Sequence, residues 1–435
     1  MKTPLTLFWF RRDLRLHDNR GLFEALQSGN PVLPLFIFDS DILGKLPDKG
    51  DKRVGFIHHS ILQLHGELVK AGSSLLILHG KPLEVFQQLS RQYTITAVYA
   101  NHDYEPEAIN RDAAVTDFLY HQHIPFKTFK DQVIFEKSEV VKPDGNPYTV
   151  FTPYSKAWKH KITEADVQPF QSEDLLKHLY KTSPFNIPSL SAIGFQDSGA
   201  SFPPPFIDQN IIRQYHETRD FPSLKGTSGL SVHLRFGTVS IRTLVQIALR
   251  WNESWLNELI WREFFMMILY HFPQVVSRSF KGQYDQLKWR NNEEEFRRWC
   301  SGTTGYPIVD AGMRELNATG YMHNRVRMIV ASFLTKHLLI DWRWGESYFA
   351  VKLLDYELSS NNGNWQWSAG CGCDAAPYFR IFNPAEQTRK FDPEGLYINQ
   401  WVGNLHKKDY PQPIVEHQWA RERCLQVFKE ALKKE

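Results

Sequence analysis

The sequence predicts an α/β domain joined to an all-α one: an N-terminal doubly wound parallel sheet, a long linker, and a C-terminal helical domain. Three observations predict it. Short apolar runs alternate with amphipathic helical stretches over the first 130 residues; Pro- and Ser-rich segments interrupt the pattern over 131–205; helical periodicity takes over beyond. At 435 residues the chain also exceeds what one hydrophobic core usually holds, so two domains are expected.

The strands are read from L-T-L-F-W-F (5–10), V-L-P-L-F-I-F (32–38), S-L-L-I-L-H (74–79) and A-V-Y-A (97–100). Between them Val54, Ile57, Ile61, Leu64 and Leu68 recur at 3-4-3-4 spacing, the face of a helix, and Gly72 stands where it should stop. Strands alternating with helices imply a parallel sheet. No G-x-G-x-x-G follows the first strand, so a standard dinucleotide fingerprint is absent. K-P-D-G-N-P, S-P-F-N-I-P-S-L-S and S-F-P-P-P-F mark 131–205 as an irregular surface linker between domains 1–130 and 206–435. In the latter, Leu244, Ile247, Ala248 and Trp251 set a helical period.

Composition narrows the class. No apolar run approaches 18 residues, so no membrane span is expected. The opening M-K-T-P-L-T-L-F-W-F-R-R-D has too short an apolar stretch for a signal peptide. Four cysteines suggest a reducing compartment, and hence the cytoplasm. Cys371 and Cys373 form a lone C-x-C without a second pair or a close His pair, which reads as packing thiols, and no metal site is expected. The net charge of +3 divides as 22 basic against 23 acidic residues up to 200, and 29 against 25 after it. Such a balance permits nucleic-acid binding without demanding it. Eleven of the 13 tryptophans follow residue 200, so the two halves differ in their work.

Four clusters in the second half carry chemistry. K-G-T-S-G-L-S (225–231) leads into a helix at about Ser231, where free N–H groups and the dipole suit a phosphate, or where the hydroxyls are simply N-caps. In N-E-S-W-L-N-E-L-I-W-R-E-F-F (252–265), Trp255, Glu258 and Arg262 share a helix face with Trp261 on its edge. A carboxylate there is either salt-bridged to an arginine or the polar handle of a pocket wall. G-Y-M-H-N-R-V-R-M (320–328) offers Arg325 and Arg327 to phosphates or to solvent. Last, Asp355 and Glu357 precede N-N-G-N-W-Q-W (361–367), read as a polar turn crowded with indoles.

Taken together and in order, these stretches resemble the photolyase/cryptochrome family. F-W-F-R-R-D-L-R-L-H-D-N (8–19) is similar to its N-terminal signature, and R-D-F-P (219–222), G-T-S-G-L-S, W-L-N-E-L-I-W-R-E-F, T-G-Y-P-I-V-D-A (304–311), M-H-N-R-V-R-M and N-N-G-N-W-Q-W…D-A-A-P-Y-F-R-I-F-N-P (361–384) to its flavin domain. Within the family the chain looks most similar to the class I cyclobutane pyrimidine dimer photolyases. Asn324 and Met328 stand where (6-4) photolyases carry histidines, and Asn324 and Asn361 where plant cryptochromes carry Asp. A (6-4) photolyase and a cryptochrome without repair activity are the alternatives.

The resemblance implies light-driven repair by electron transfer from photoexcited reduced FAD to a flipped-out dimer. It assigns Tyr215, Thr227, Ser228, Gly229, Leu230, Ser231, Trp255, Arg262, Arg327, Asp355, Tyr356, Glu357, Leu358 and Asn361 to the FAD site, with Arg327 a partner of Asp355. Gly229 replaces an Arg common in relatives, so only its backbone N–H can serve. Glu258, Trp261, Asn324 and Met328 would form the dimer pocket, Arg219 and Arg325 would hold DNA phosphates, and Asn361 would face flavin N5. Tyr321 departs from a common Trp in the pocket wall. Trp365, Trp342 and Trp289 match the family's photoreduction chain. A second, antenna chromophore is implied as well. Its identity lies among deazaflavin, flavin and folate; Glu107 and Ala108 replace the N-E pair of folate-binding relatives, which argues against folate at that site and leaves a deazaflavin, a flavin or an empty cleft. A monomer acting on DNA that contains pyrimidine dimers is expected, with no membrane partner.

Overall fold

In a computed structural model of the chain, residues 3–403 and 410–432 are described. The apolar runs become parallel strands: β1 (Pro4–Phe10), β2 (Val32–Asp39), β3 (Leu76–Gly80), β4 (Thr94–Asn101) and β5 (Phe126–Phe129), ordered β3-β2-β1-β4-β5. The central strands are buried along nearly their whole length, as a sheet covered on both faces requires. The edge strand β5, F-K-T-F, was not read from sequence; it is four residues long and its two central residues are exposed. The helix Lys52–Lys70 buries Val54, Ile61, Leu64 and Leu68, and Gly72 follows it at φ +76°, a conformation that favours glycine.

The chain divides into two units that interleave in sequence. The first comprises Met1–Glu136, Lys161–Phe206 and Gly229–Arg250, and contains the sheet. The second comprises Lys137–His160, Ile207–Ser228 and Trp251–Glu435, with helices and no strand among its described residues. The stretch 131–205, expected as one linker, is therefore shared between them. Specific anchors hold its irregular backbone. Within the second unit, the helix Phe151–Lys161 buries Tyr154 and Trp158, and Trp158 Nε1 donates to Glu263 at 2.6 Å. Within the first, Ser172 Oγ donates to the Leu16 carbonyl at 2.5 Å.

Residues 229–250 also differ from the expected division, because a buried ionic network ties them into the first unit. Arg242 contacts Asp18 and Asp131, both at 2.7 Å, and Arg15 contacts the other oxygen of Asp131 at 2.7 Å. Gly237, at φ +65°, lies so close to the backbone of Arg12 that a Cβ would sit 2.1 Å from its carbonyl oxygen. No described helix is long and apolar enough to cross a membrane.

N-N-G-N-W-Q-W, expected as a polar turn, lies inside the helix Leu358–Ala369. Its polar residues are consumed by neighbouring backbone: Asn362 Nδ2 and Gln366 Nε2 both donate to the Val275 carbonyl at 2.9 Å. At Gly363 a Cβ would stand 2.2 Å from the Phe265 ring, so the glycine permits two helices to touch. Cys371 and Cys373 follow the helix, buried, and burial pushes both thiols up to about 12.

Candidate functional site

Four helices of the second unit, with the segment joining the last two, line a cavity of about 390 Å³, within the range of small-molecule sites. The helix Glu253–His271 begins at Asn252, whose side chain accepts from the Trp255 N–H at 3.1 Å. From there Glu258, Trp261, Arg262 and Phe265 recur at helical spacing and line one wall. The helix Asn324–Ser332 supplies Asn324, Arg327, Met328 and Ala331. Its N-cap is His323, whose Nδ1 accepts from the Arg325 N–H at 3.2 Å. Asp355, Tyr356 and Glu357 run into the helix Leu358–Ala369, which adds Ser360, Asn361, Asn364 and Trp365. Phe349, from the helix Trp342–Lys352, and Arg219 add to the lining.

Ion pairs hold most of the charge. Arg327 contacts Asp355 at 2.9 Å and Arg262 contacts Glu357 at 3.0 Å. The alternative for Glu258 resolves both ways: it lines the cavity, and it also pairs with Arg219. Burial raises its carboxyl above the usual range although Arg219 opposes the shift. Beside this pair, Arg325 contacts Asp220 at 2.6 Å. Asn361 Nδ2 donates to Glu346 Oε1 at 2.8 Å and to the Glu346 carbonyl at 3.1 Å. The amide is thereby oriented with its NH₂ engaged, which leaves Oδ1 as an acceptor.

One face of Trp261 carries Phe151, stacked at 3.7 Å between ring centroids and 4° between planes.

The cavity thus gathers Arg219, Glu258, Trp261, Arg262, Asn324, Arg327, Met328, Asp355, Tyr356, Glu357, Asn361 and Trp365. Other predicted residues lie outside its lining. Arg325 stands behind Met328, its Nη1 3.7 Å from the sulfur. Tyr215 lies under the Arg219 guanidinium, 5.7 Å from its carbon. Thr227 Oγ1 is 3.4 Å from Tyr321 Oη, and Ser228 follows it. Gly229, Leu230 and Ser231 belong to the first unit; Gly229 has φ +66° with nothing within 4 Å of where a Cβ would be, and a helix starts at Ser231. Trp255 is buried in the Glu253–His271 helix, and Leu358 begins its own helix. Trp342 is buried, with Nε1 unpaired, in the core that also holds Trp365, and Trp289 packs against that core.

Sequence reasoning missed Phe265, Asp220, His323 and Glu346. Glu346 meets Asn361 only through the fold, 15 residues apart in sequence.

The chain is similar to known proteins over nearly its whole length. The sequence model described as DNA photolyase matches residues 6–173, and the one described as FAD binding domain of DNA photolyase matches 255–408. A Synechococcus protein named deoxyribodipyrimidine photo-lyase is 39% identical over 96% of this chain and 94% of its own. One of that name from Halobacterium salinarum is 36% identical over 98% and 99%. The crystal structure of a bacterial class III photolyase from Agrobacterium tumefaciens superposes with a TM-score of 0.87 at 33% identity, covering 100% of this chain and 99% of that one. A Synechocystis cryptochrome superposes at 0.85 with 26% identity, covering 98% and 99%.

Proposed function

The chain belongs to the DNA photolyase family, and from that premise we propose that it is a deoxyribodipyrimidine photo-lyase that repairs cyclobutane pyrimidine dimers in DNA, acting as a monomer. The observation that carries this reading is the meeting of Glu258, Asn324 and Met328 with Asn361 and Trp365 around one cavity.

FAD suits the residues present. The cavity combines apolar walls from Phe265, Ala331, Phe349 and Trp365 with arginine–carboxylate pairs and the free Oδ1 of Asn361, a lining that matches a flat heteroaromatic ring with polar edges. Asn361, Arg262, Arg327 and the Asp355–Leu358 segment would hold it, with Tyr215, Thr227, Ser228 and Trp255 serving the rest of the dinucleotide. Bound and reduced, FAD supplies the photoexcited electron that splits the dimer.

The protein's part is binding and orientation. A dimer inside a duplex is out of reach, so it must be flipped out, which costs least for a damaged, poorly stacked pair. Trp261, with Phe151 behind its indole, offers a supported surface for base contact worth on the order of 1–3 kcal/mol per base. Asn324 and Met328 bound the pocket opposite. Arg219 and Arg325 would take the flanking phosphates, which makes binding salt-sensitive. Glu258, once protonated, would donate to a dimer carbonyl where negative charge develops. Trp365, Trp342 and Trp289 would relay electrons for photoreduction. An antenna chromophore in the first unit is consistent with a relative from Sulfolobus tokodaii, whose structure is described as containing two FAD molecules.

The test is direct: purify the protein, record its flavin absorbance, and follow blue-light-dependent loss of thymine dimers from an oligonucleotide. Repair in light and none in darkness is expected. Flavin binding without dimer loss favours the second reading, a cryptochrome-type receptor, which the Synechocystis likeness keeps in view.

A further inference from the structure

We infer that the Arg219–Glu258 ion pair is a phosphate-operated latch: a DNA phosphodiester takes Arg219 from Glu258, and Glu258 then binds a proton from solvent. The latch rests on the DNA-repair reading above and adds to it a coupling between substrate arrival and the charge of the pocket.

The pair is built to open. Arg219 and Glu258 side chains are 35% and 34% exposed, so a phosphate can reach the guanidinium without dismantling the core. The Arg219–Glu258 contact runs from one guanidinium nitrogen to one carboxylate oxygen, whereas a phosphate can engage a guanidinium through two. The neighbouring pair shows the same unfinished state. Arg325 contacts Asp220 at 2.6 Å, yet its Nε is buried without an acceptor and its guanidinium lies 4.3 Å from the Phe391 ring centre. Both arginines are thus held by carboxylates in the free protein, and Asp220 adjoins Arg219 in sequence.

Among the described residues, the other charged groups near Glu258 are already paired or are themselves negative. From the 215–220 segment it faces Arg219, Asp220 and Tyr215; the Tyr215 hydroxyl stays protonated because burial holds its pKa far above neutrality. On its own helix Arg262 is committed to Glu357, and across the cavity Arg327 is committed to Asp355. With the bound DNA covering the cavity from solvent, the carboxylate would be left in a lining that includes Trp261, Met328 and Phe265, with Asp220 as an added negative charge. An unpaired carboxylate in such surroundings neutralises by protonation. Burial already raises Glu258, and Arg219 is the main group opposing that rise. The balance is simple: one proton moves from buffer to Glu258, Arg219 keeps its charge, and no covalent bond changes. Ionised Glu258 can only accept hydrogen bonds, whereas the neutral acid can donate one. Substrate arrival therefore creates the form the repair step uses.

The experiment is calorimetric titration, in the dark, of the FAD-loaded protein with a single-stranded oligonucleotide carrying one thymine dimer. Repeating it in buffers of different ionisation enthalpy gives the protons taken up per binding event. The wild type is expected to take up about 0.5–1 proton near neutral pH, and its affinity to weaken by up to about tenfold per pH unit as pH rises through the titration. The isosteric E258Q should still bind but take up none. R219Q should bind more weakly and also take up less, since its Glu258 has no ion pair to lose. Wild-type binding without proton uptake, or equal uptake by E258Q, overturns the latch while leaving DNA repair standing. Failure of every form to bind the oligonucleotide overturns the repair reading, and the latch with it.

Discussion

Glu258 and Trp365 show how much chemistry a single side chain can hold in this cavity. Glu258 lies on an apolar helix face, where a carboxylate needs a partner, and Arg219 is that partner in the free protein. Its proposed work is to stabilise developing charge. Glu258→Ala is therefore expected to lower the repair rate by on the order of tenfold or more, with a smaller change in dimer affinity; equal losses in single-turnover repair and in dark binding would remove that role. Trp365 is buried against Gly345, whose missing Cβ makes room for its ring, and sits 6.1 Å from the Trp299 ring centre. Trp365→Phe should slow light-driven flavin reduction by at least roughly tenfold, while chemically reduced enzyme still repairs. Loss of repair under pre-reduced conditions would contradict the relay assignment.

The helix Asn324–Ser332 carries Asn324, Arg325, Arg327 and Met328 together, so the cap that starts it positions several site residues at once. His323 caps by accepting through Nδ1, which requires the neutral ring. Burial first, then Arg327, lowers its pKa from 6.5 to about 4. The unfolded chain thus binds more protons between these values. The stabilisation is complete above pH 6.5 and is lost as pH falls toward 4, a swing of about 3 kcal/mol. Thermal unfolding across that window checks it, and His323→Asn, which keeps a capping side chain, should flatten the dependence. The same scale explains why one element was misread. N-N-G-N-W-Q-W has no apolar period, and its asparagines and glycine favour turns in isolation; the Val275 carbonyl and the Phe265 ring, both distant in sequence, make it helical.

For the whole molecule, the buried network of Arg15, Asp18, Asp131 and Arg242 joins three sequence-distant parts of the first unit. Desolvation pushes the Asp131 carboxyl up, but Arg15 and then Arg242 outweigh it and hold it below its usual 3.8. Its contribution is therefore present above that value and lost as pH falls through the lower folded-state pKa. Asp131→Ala would leave buried Arg15 without its carboxylate and Arg242 with Asp18 alone, and is expected to cost about 3–5 kcal/mol in unfolding measurements. The sequence by itself determined the sheet's four inner and neighbouring strands, the helical second half and the family, because apolar period and long ordered motifs are local properties of the chain. The resemblance to the family also named most of the cavity lining, and helical spacing placed Glu258 with Arg262, and Asn324 with Met328, on shared faces. Only the tertiary structure decided which carboxylate meets which arginine, that Glu346 orients Asn361, and that residues 137–160 and 229–250 join units other than those their position suggests. Those outcomes depend on atoms brought together across tens to hundreds of residues, and neither periodicity nor composition records such distances.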